Sequence, residues 1–309
     1  MATSDRMKKL LFLGAGGVGG YFGARLIEAG VDVSFLVRPA RAATLAANGL
    51  RITSPHGDLT VPVRCVTRET VQPDYDLVIL APKAYDLGDA MDAIAPAIGP
   101  KTFVLPLLNG LAHLDALDAR FGADQVLGGV AHIVATLAAD GSVQQMNPIH
   151  TLTAGGRDAA TQQVTTEFIG LCRQARFDSV LSPDIISALW DKWAFLATLA
   201  ASTTLTQGSI GQVMATAHGE SLLRRLYAEG LAVAHRSGAI IDDDAQARSL
   251  SRLTQRGSTM TASMLRDLQA GLRTEHDHVL GNLVQRAHKL GIDTPLLAMA
   301  HCHLQVVAV

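Results

Sequence analysis

Two apolar rhythms divide the chain. Through about residue 180, short and nearly unbroken apolar runs alternate with stretches whose apolar residues recur every third or fourth position. KLLFLG (9–14) reads as a short buried strand and GYFGARLIEAG (20–30) as a helix closed by Gly30. VDVSFLVR (31–38) is a second strand, RAATLAANGL (41–50) a short helix, and LRITSPHGDLTVPV (50–63) a hairpin turning at His56-Gly57-Asp58. YDLVILAPK (75–83) and TFVLPLLNG (102–110) are the near-continuous apolar runs expected of central parallel strands covered on both faces. VLGGVAHIVATLAADGSV (126–143) and IHTLTAGG (149–156) read as late strands at one edge of the same sheet. Such alternation predicts an α/β fold with a doubly wound, Rossmann-type sheet.

The rhythm changes at LSPDI (181–185), where Ser182 suits a helix cap and Pro183 its first turn. From there only helical periods follow, at roughly 183–201, 208–214, 219–237, 243–255, 259–289 and 294–307. The predicted organisation is a dinucleotide-binding domain over 1–182 and an all-α domain over 183–309 for substrate or dimerisation. A length of 309 residues agrees with about two domains.

Gly14-Ala15-Gly16-Gly17-Val18-Gly19 follows the first strand and opens a helix, matching G-x-G-x-x-G. The first glycine allows the tight turn, the second a close backbone approach to a pyrophosphate, and the third close helix–strand packing. The helix N-terminus then stabilises phosphate charge. The second strand ends in Val37-Arg38-Pro39-Ala40-Arg41, without the acid that meets an NAD ribose, and Asp32 lies at the strand's start. Arg38 can instead grip a 2′-phosphate, so the expected cofactor is NADP(H). Lys83 and Asn109 follow two later strands, on the rim where ligands of such sheets bind.

The helical half holds two charges on apolar stripes. In LWDKWAFLATLAA (189–201), Lys192 shares a face with Ile185, Ala188, Leu189, Phe195, Leu196 and Leu199, while Ser187, Asp191, Thr198 and Ser202 mark the opposite, wetter face. In SMLRDLQAGLRTEHDHVLGNL (263–283), Glu275 falls in line with Leu265, Leu268, Leu272 and Val279 along one continuous helix. A buried unpaired charge is costly, so the two invite pairing. One reading is a structural salt bridge between helices. The other makes Lys192 a general acid and stabiliser of a nascent alkoxide, with Glu275 orienting the lysine or substrate.

Composition narrows the classes. A formal charge of −2 offers no electrostatic case for nucleic acid or an anionic membrane, and 48% hydrophobic residues suffice for a sizeable core. MKKLLFLGAGGVGG imitates a signal peptide, but its apolar run is too short and no cleavage site follows. Three distant cysteines, Cys65, Cys172 and Cys302, fit a reducing cytosol, so the chain is expected in the cytoplasm. His276/His278 and His301/His303 are each spaced by two and fall on different helix faces; no metal is expected. Neither G-x-S-x-G nor a cysteine–histidine signature is present. The apolar C-terminal segment 291–306, with a helix start at Thr294-Pro295, leaves room for a homodimer surface.

Six stretches together, LGAGGVGGYFGARL, VR after the second strand, PKAYD, LLNGL, LWDKWAF and SMLRDLQAGLRTEHD, make the chain resemble the ketopantoate reductase (2-dehydropantoate 2-reductase) family over essentially its whole length. The resemblance implies a Rossmann domain followed by a helical domain, with NADPH and a 2-keto acid in the cleft, and reduction of the ketone in pantothenate synthesis. It implies that Lys192 donates the proton, Glu275 is the active-site glutamate, and Asn109 lies near cofactor ribose and substrate. It further places Arg38 and Lys83 on the phosphate side and Ser263 in substrate binding. Typical members carry asparagines four and eight residues after the lysine; here Leu196 and Ala200 stand there, and Met260 replaces a polar contact three residues before Ser263. These departures favour a 2-keto acid with a more apolar side chain, outside pantothenate synthesis, unless Thr203 or Thr204 restores the polar contacts. A non-catalytic NADP(H)-sensing protein is the remaining alternative.

Overall fold

The computed structural model describes residues 7–308. The chain divides into two compact units: one holds the chain through Leu108 together with His113–Ile185, the other holds Asn109–Ala112 and everything from Ile186 onward.

The first unit begins with β1 (Lys9–Leu13), α1 (Gly17–Glu28), β2 (Asp32–Leu36) and α2 (Pro39–Asn48). The hairpin β3 (Leu50–Thr53) and β4 (Leu59–Val61) follows, then β5 (Arg64–Val66), β6 (Leu77–Leu80), α3 (Leu87–Ile94) and β7 (Phe103–Pro106). After α4 (Ala112–Phe121) come β8 (Gly128–Leu137), β9 (Val143–Gly155), α5 (Ala159–Cys172) and β10 (Asp178–Leu181). Strands β5-β2-β1-β6-β7 form a wholly parallel sheet, with Phe12 opposite Phe35 and Ile79. Its inner strands are buried, as their unbroken apolar runs require.

The late strands do not extend that sheet. They form a second one, ordered β10-β9-β3-β4, with β8 antiparallel to β9. The hairpin joins it because Ile52 and Thr53 of β3 pair with Val143 and Gln144 of β9. Helix α1 packs on both sheets, and its glycines make the contact. A Cβ on Gly17 would lie 2.5 Å from the Ala135 carbonyl oxygen of β8, and one on Gly20 would lie 2.9 Å from Val143 of β9. A Cβ on Gly23 would come within 2.6 Å of the Phe35 ring on the parallel sheet. The glycines of GGVGGYFG therefore seat a helix between two layers as well as shape a turn.

The second unit contains α6 (Ile185–Thr206), α7 (Ile210–Met214), α8 (Gly219–Arg236) and α9 (Asp243–Leu253). It ends with α10 (Ser263–Gln269), a π-helical segment (Asp277–Gly281), α11 (Asn282–Lys289) and α12 (Pro295–Val307). Of the side of α6 read from sequence as polar, Ser187, Thr198 and Ser202 are buried and Asp191 is partly buried. The Thr198 and Ser202 hydroxyls donate to carbonyls four residues earlier, so they enter the core satisfied. The helix expected over 259–289 is broken. Gly271 adopts φ +66°, ending α10, and leaves Leu272 exposed, so Leu265, Leu268 and Glu275 do not share one continuous stripe. No helix among the described residues is long and apolar enough to cross a membrane.

Candidate active site

Around the glycine turn of the first unit, Gly14 takes φ +82°, a conformation natural to glycine, and its N–H donates to the Leu36 carbonyl at 2.9 Å. Gly16 caps α1 without a side-chain partner, so the leading N–H groups of the helix are offered to a ligand. Space for a Cβ on Gly16 is open, whereas one on Gly19 would lie 2.9 Å from the Gly14 carbonyl oxygen. The turn thus has both properties a pyrophosphate needs: an uncapped helix start and room for close approach. Ala15 and Val18 complete it, Ala15 being buried.

Arg38 stands exposed at the N-cap of α2, just past the end of β2. Asp32, at the other end of that strand, pairs with Arg64 at 2.9 Å. Lys83 follows β6 and precedes a short 3₁₀ turn. Because β2, β1 and β6 are adjacent and parallel, Arg38, the glycine turn and Lys83 share the carboxyl edge of one sheet. Arg41, which the sequence reading passed over, donates to the carbonyls of Ala15 (3.2 Å) and Gly141 (2.8 Å). It fixes a cation against the glycine turn.

In the second unit, Lys192 lies on α6 between the buried Leu189, Trp193 and Phe195. Burial lowers its pKa from the ordinary 10.5 to about 8, outweighing the opposing attraction of Glu275. Some of its surface stays accessible. Glu275 is close enough to act on it electrostatically even though the predicted continuous helix is absent. Immediately beyond, the His278 Nε2–H donates to the Asn109 carbonyl at 2.6 Å, and the Trp193 Nε1–H donates to the Val279 carbonyl at 2.8 Å. Gly110, at φ +74°, leaves room where a Cβ would meet His278 and Trp193 at 3.3 and 3.5 Å. Three chain segments far apart in sequence are therefore fastened together: α6, the 275–281 stretch and the 109–112 loop. Burial also lowers the His278 pKa, against the hydrogen bond to Asn109 and the charge of Glu275. A neutral His278 still donates from Nε2, so the Asn109 loop stays anchored near neutrality.

Family models of the ketopantoate reductase (PanE/ApbA) match residues 10–158, and those of its C-terminal domain match 184–308. The chain belongs to the ketopantoate reductase family. It is an oxidoreductase with the family's parallel sheet followed by a helical domain. It is 35% identical over 303 residues to the uncharacterized oxidoreductase YkpB of Bacillus subtilis, covering 96% of this chain and 98% of that one. It is 26% identical to the 2-dehydropantoate 2-reductase of Streptococcus pyogenes serotype M1, over 93% of each chain. Among solved structures, the PanE/ApbA ketopantoate reductase of Ralstonia eutropha JMP134 superposes with a TM-score of 0.86 at 26% identity, covering 97% of this chain and 98% of that one. A D-mandelate dehydrogenase solved with NADH and anilino(oxo)acetate shares the fold, with a TM-score of 0.87 at 20% identity over 97% and 98% of the two chains.

The structure places the apolar residues that the sequence reading singled out. Leu196 is partly buried and Ala200 buried, about one and two turns beyond Lys192. Thr203 and Thr204 are both fully buried, and their hydroxyls donate to the Leu199 and Ala200 carbonyls at 2.7 Å. Met260 is partly buried before α10, and Ser263 stands exposed in its first turn, separated from Glu275 by the break at Gly271. His278 was legible in principle, since it follows Glu275 by three residues and so lies on the same helical face.

Proposed function

We propose that this chain reduces a 2-keto acid to a 2-hydroxy acid with NADPH, by the chemistry that converts 2-dehydropantoate to pantoate. The observation that supports this most is the buried Lys192 ammonium within electrostatic reach of Glu275. A bound nicotinamide dinucleotide supplies the hydride. Gly14 to Gly19 would hold its pyrophosphate, with Arg38, Arg41 and Lys83 as cations for phosphate. Preference for NADPH over NADH rests on Arg38 and on the absence of an acid at the end of β2. As the keto carbon accepts hydride, its oxygen becomes an alkoxide. Lys192 stabilises that charge and delivers a proton to it, and solvent restores the ammonium. Glu275 keeps the amine protonated near neutral pH, and Asn109, anchored through its own backbone by His278, positions the substrate. The free state of Cys65, Cys172 and Cys302 supports action in the cytoplasm.

Within this reading the substrate has a more apolar side chain than ketopantoate and serves a step outside pantothenate synthesis. Leu196, Ala200 and the internally bonded Thr203 and Thr204 support that choice. The test is NADPH and NADH oxidation across ketopantoate and branched and aromatic 2-keto acids. Branched or aromatic substrates with NADPH are expected to lead, and ketopantoate at equal or higher kcat/KM overturns the apolar pocket. Lys192→Ala is expected to retain NADPH binding and lose about 10²–10⁴-fold in turnover. A loss of only a few-fold removes the proton-donor role, and tight NADPH binding without turnover of any substrate favours an NADP(H) sensor.

A further inference from the structure

Outside this chemistry, three side chains from two distant segments converge. His276 and Asp277 open the segment before α11, and His301 lies in α12. His301 Nε2 is 2.8 Å from Asp277 Oδ1, and His276 Nε2 is 3.6 Å from the same oxygen. One ligand atom from each residue can be chosen so that all three lie within 4.8 Å of one another. Spacing within each histidine pair argued against a metal; the grouping that forms takes one histidine from each pair.

The surroundings are shaped to this grouping. The other nitrogen of His276, Nδ1, is 2.7 Å from the Thr274 hydroxyl, which holds the ring and leaves Nε2 toward Asp277. Gly281 has ordinary helical φ, so conformation does not demand glycine there. Space does: a Cβ would lie 2.7 Å from His301 Nε2. The two imidazoles are largely sheltered, at 16% and 17% side-chain exposure, while Asp277 is 75% exposed. Water or another ligand can therefore reach a fourth position.

We propose that His276, Asp277 and His301 form a three-ligand site for a zinc-type divalent transition metal, clamping α12 to the segment that begins at Glu275. Two imidazoles and one carboxylate suit Zn²⁺, Co²⁺ or Ni²⁺ and are poor donors for Ca²⁺ or Mg²⁺. Metal–ligand bonds of about 2.0–2.1 Å in tetrahedral geometry put ligand atoms roughly 3.3 Å apart. The two separations from Asp277, 2.8 and 3.6 Å, bracket that value, and the two histidine nitrogens lie within 4.8 Å of each other, so the rings would close in on a bound ion.

The test uses untagged, full-length, chelator-stripped protein titrated with Co²⁺ and followed by visible absorption, with Zn²⁺ as competitor. One equivalent should bind at micromolar metal with the intense bands of low-coordinate Co²⁺, and Zn²⁺ should bleach them. Asp277→Asn and His301→Gln should each weaken binding at least about tenfold, and Thr274→Val, which removes no ligand, by about 10–100-fold. Asp277 is exposed, so its variant folds even if the His301 variant does not; circular dichroism of the stripped proteins checks this. Absence of saturable Co²⁺ or Zn²⁺ binding below millimolar metal, or unchanged binding in Asp277→Asn, overturns the site. Because the readout is metal binding, failure here leaves the reductase reading untouched.

Discussion

At the scale of single residues, Lys192 answers two opposing demands. In the proposed reduction it would have to hold a proton to give one away, yet its packed surroundings favour the neutral amine. With a pKa near 8, reduction should be flat at lower pH and fall as pH rises through about 8. Glu275 is the group that raises this pKa, so Glu275→Gln should move the falling limb of the kcat/KM profile below 8. A limb that stays put would make Glu275 a packing residue only. The same shift shapes stability. The folded pKa lies below the ordinary 10.5, so between about 8 and 10.5 the unfolded chain holds the proton that the folded one has released. Stability attributable to Lys192 therefore rises with pH across that window, and below it the burial cost is borne in full.

At the scale of elements, α1 shows how one stretch serves two ends. Gly17 abuts the β8 backbone, whereas a Cβ on Gly170, within α5, meets nothing within 4 Å. Gly17→Ala should destabilise by about 1–3 kcal/mol through overpacking and weaken dinucleotide binding. Gly170→Ala should stabilise by about 0.5–1 kcal/mol and leave binding unchanged. Unfolding midpoints and dinucleotide titrations on both variants distinguish crowding from a general intolerance of alanine. Most elements were readable because long apolar runs and caps are local signals: β1, β6, β7 and α8 fall where the pattern puts them. The 259–289 reading failed because an apolar stripe continues in sequence across a turn. Gly271, which ends α10 in a left-handed conformation, was the visible warning. Glu275 nonetheless reached Lys192, by a route the stripe did not describe.

At the scale of the whole molecule, alternation identifies strands without naming their partners. Nothing local in β3 says that Ile52 pairs with Val143, some 90 residues on, and so the second sheet was hidden. The candidate site's local geometry was legible where a motif carries its own shape, as at the Gly14–Gly19 turn. It was not where anchoring depends on distant backbone, as with His278 on Asn109 or Arg41 on Gly141. If the glycine turn and α2 hold the dinucleotide, NADPH should slow amide exchange chiefly over residues 14–28 and 38–48. Hydrogen-exchange mass spectrometry checks this, and protection confined to the helical unit would displace the cofactor from the turn.

The short loop Asn109–Ala112 belongs with helices that begin more than 70 residues later. The helical half is consequently no interchangeable cassette. A crossover between related genes near residue 183 would import α6 and His278 without the loop that His278 holds. If the proposed site is right, a change of substrate preference would have to involve two separate stretches of gene, or changes that respect both.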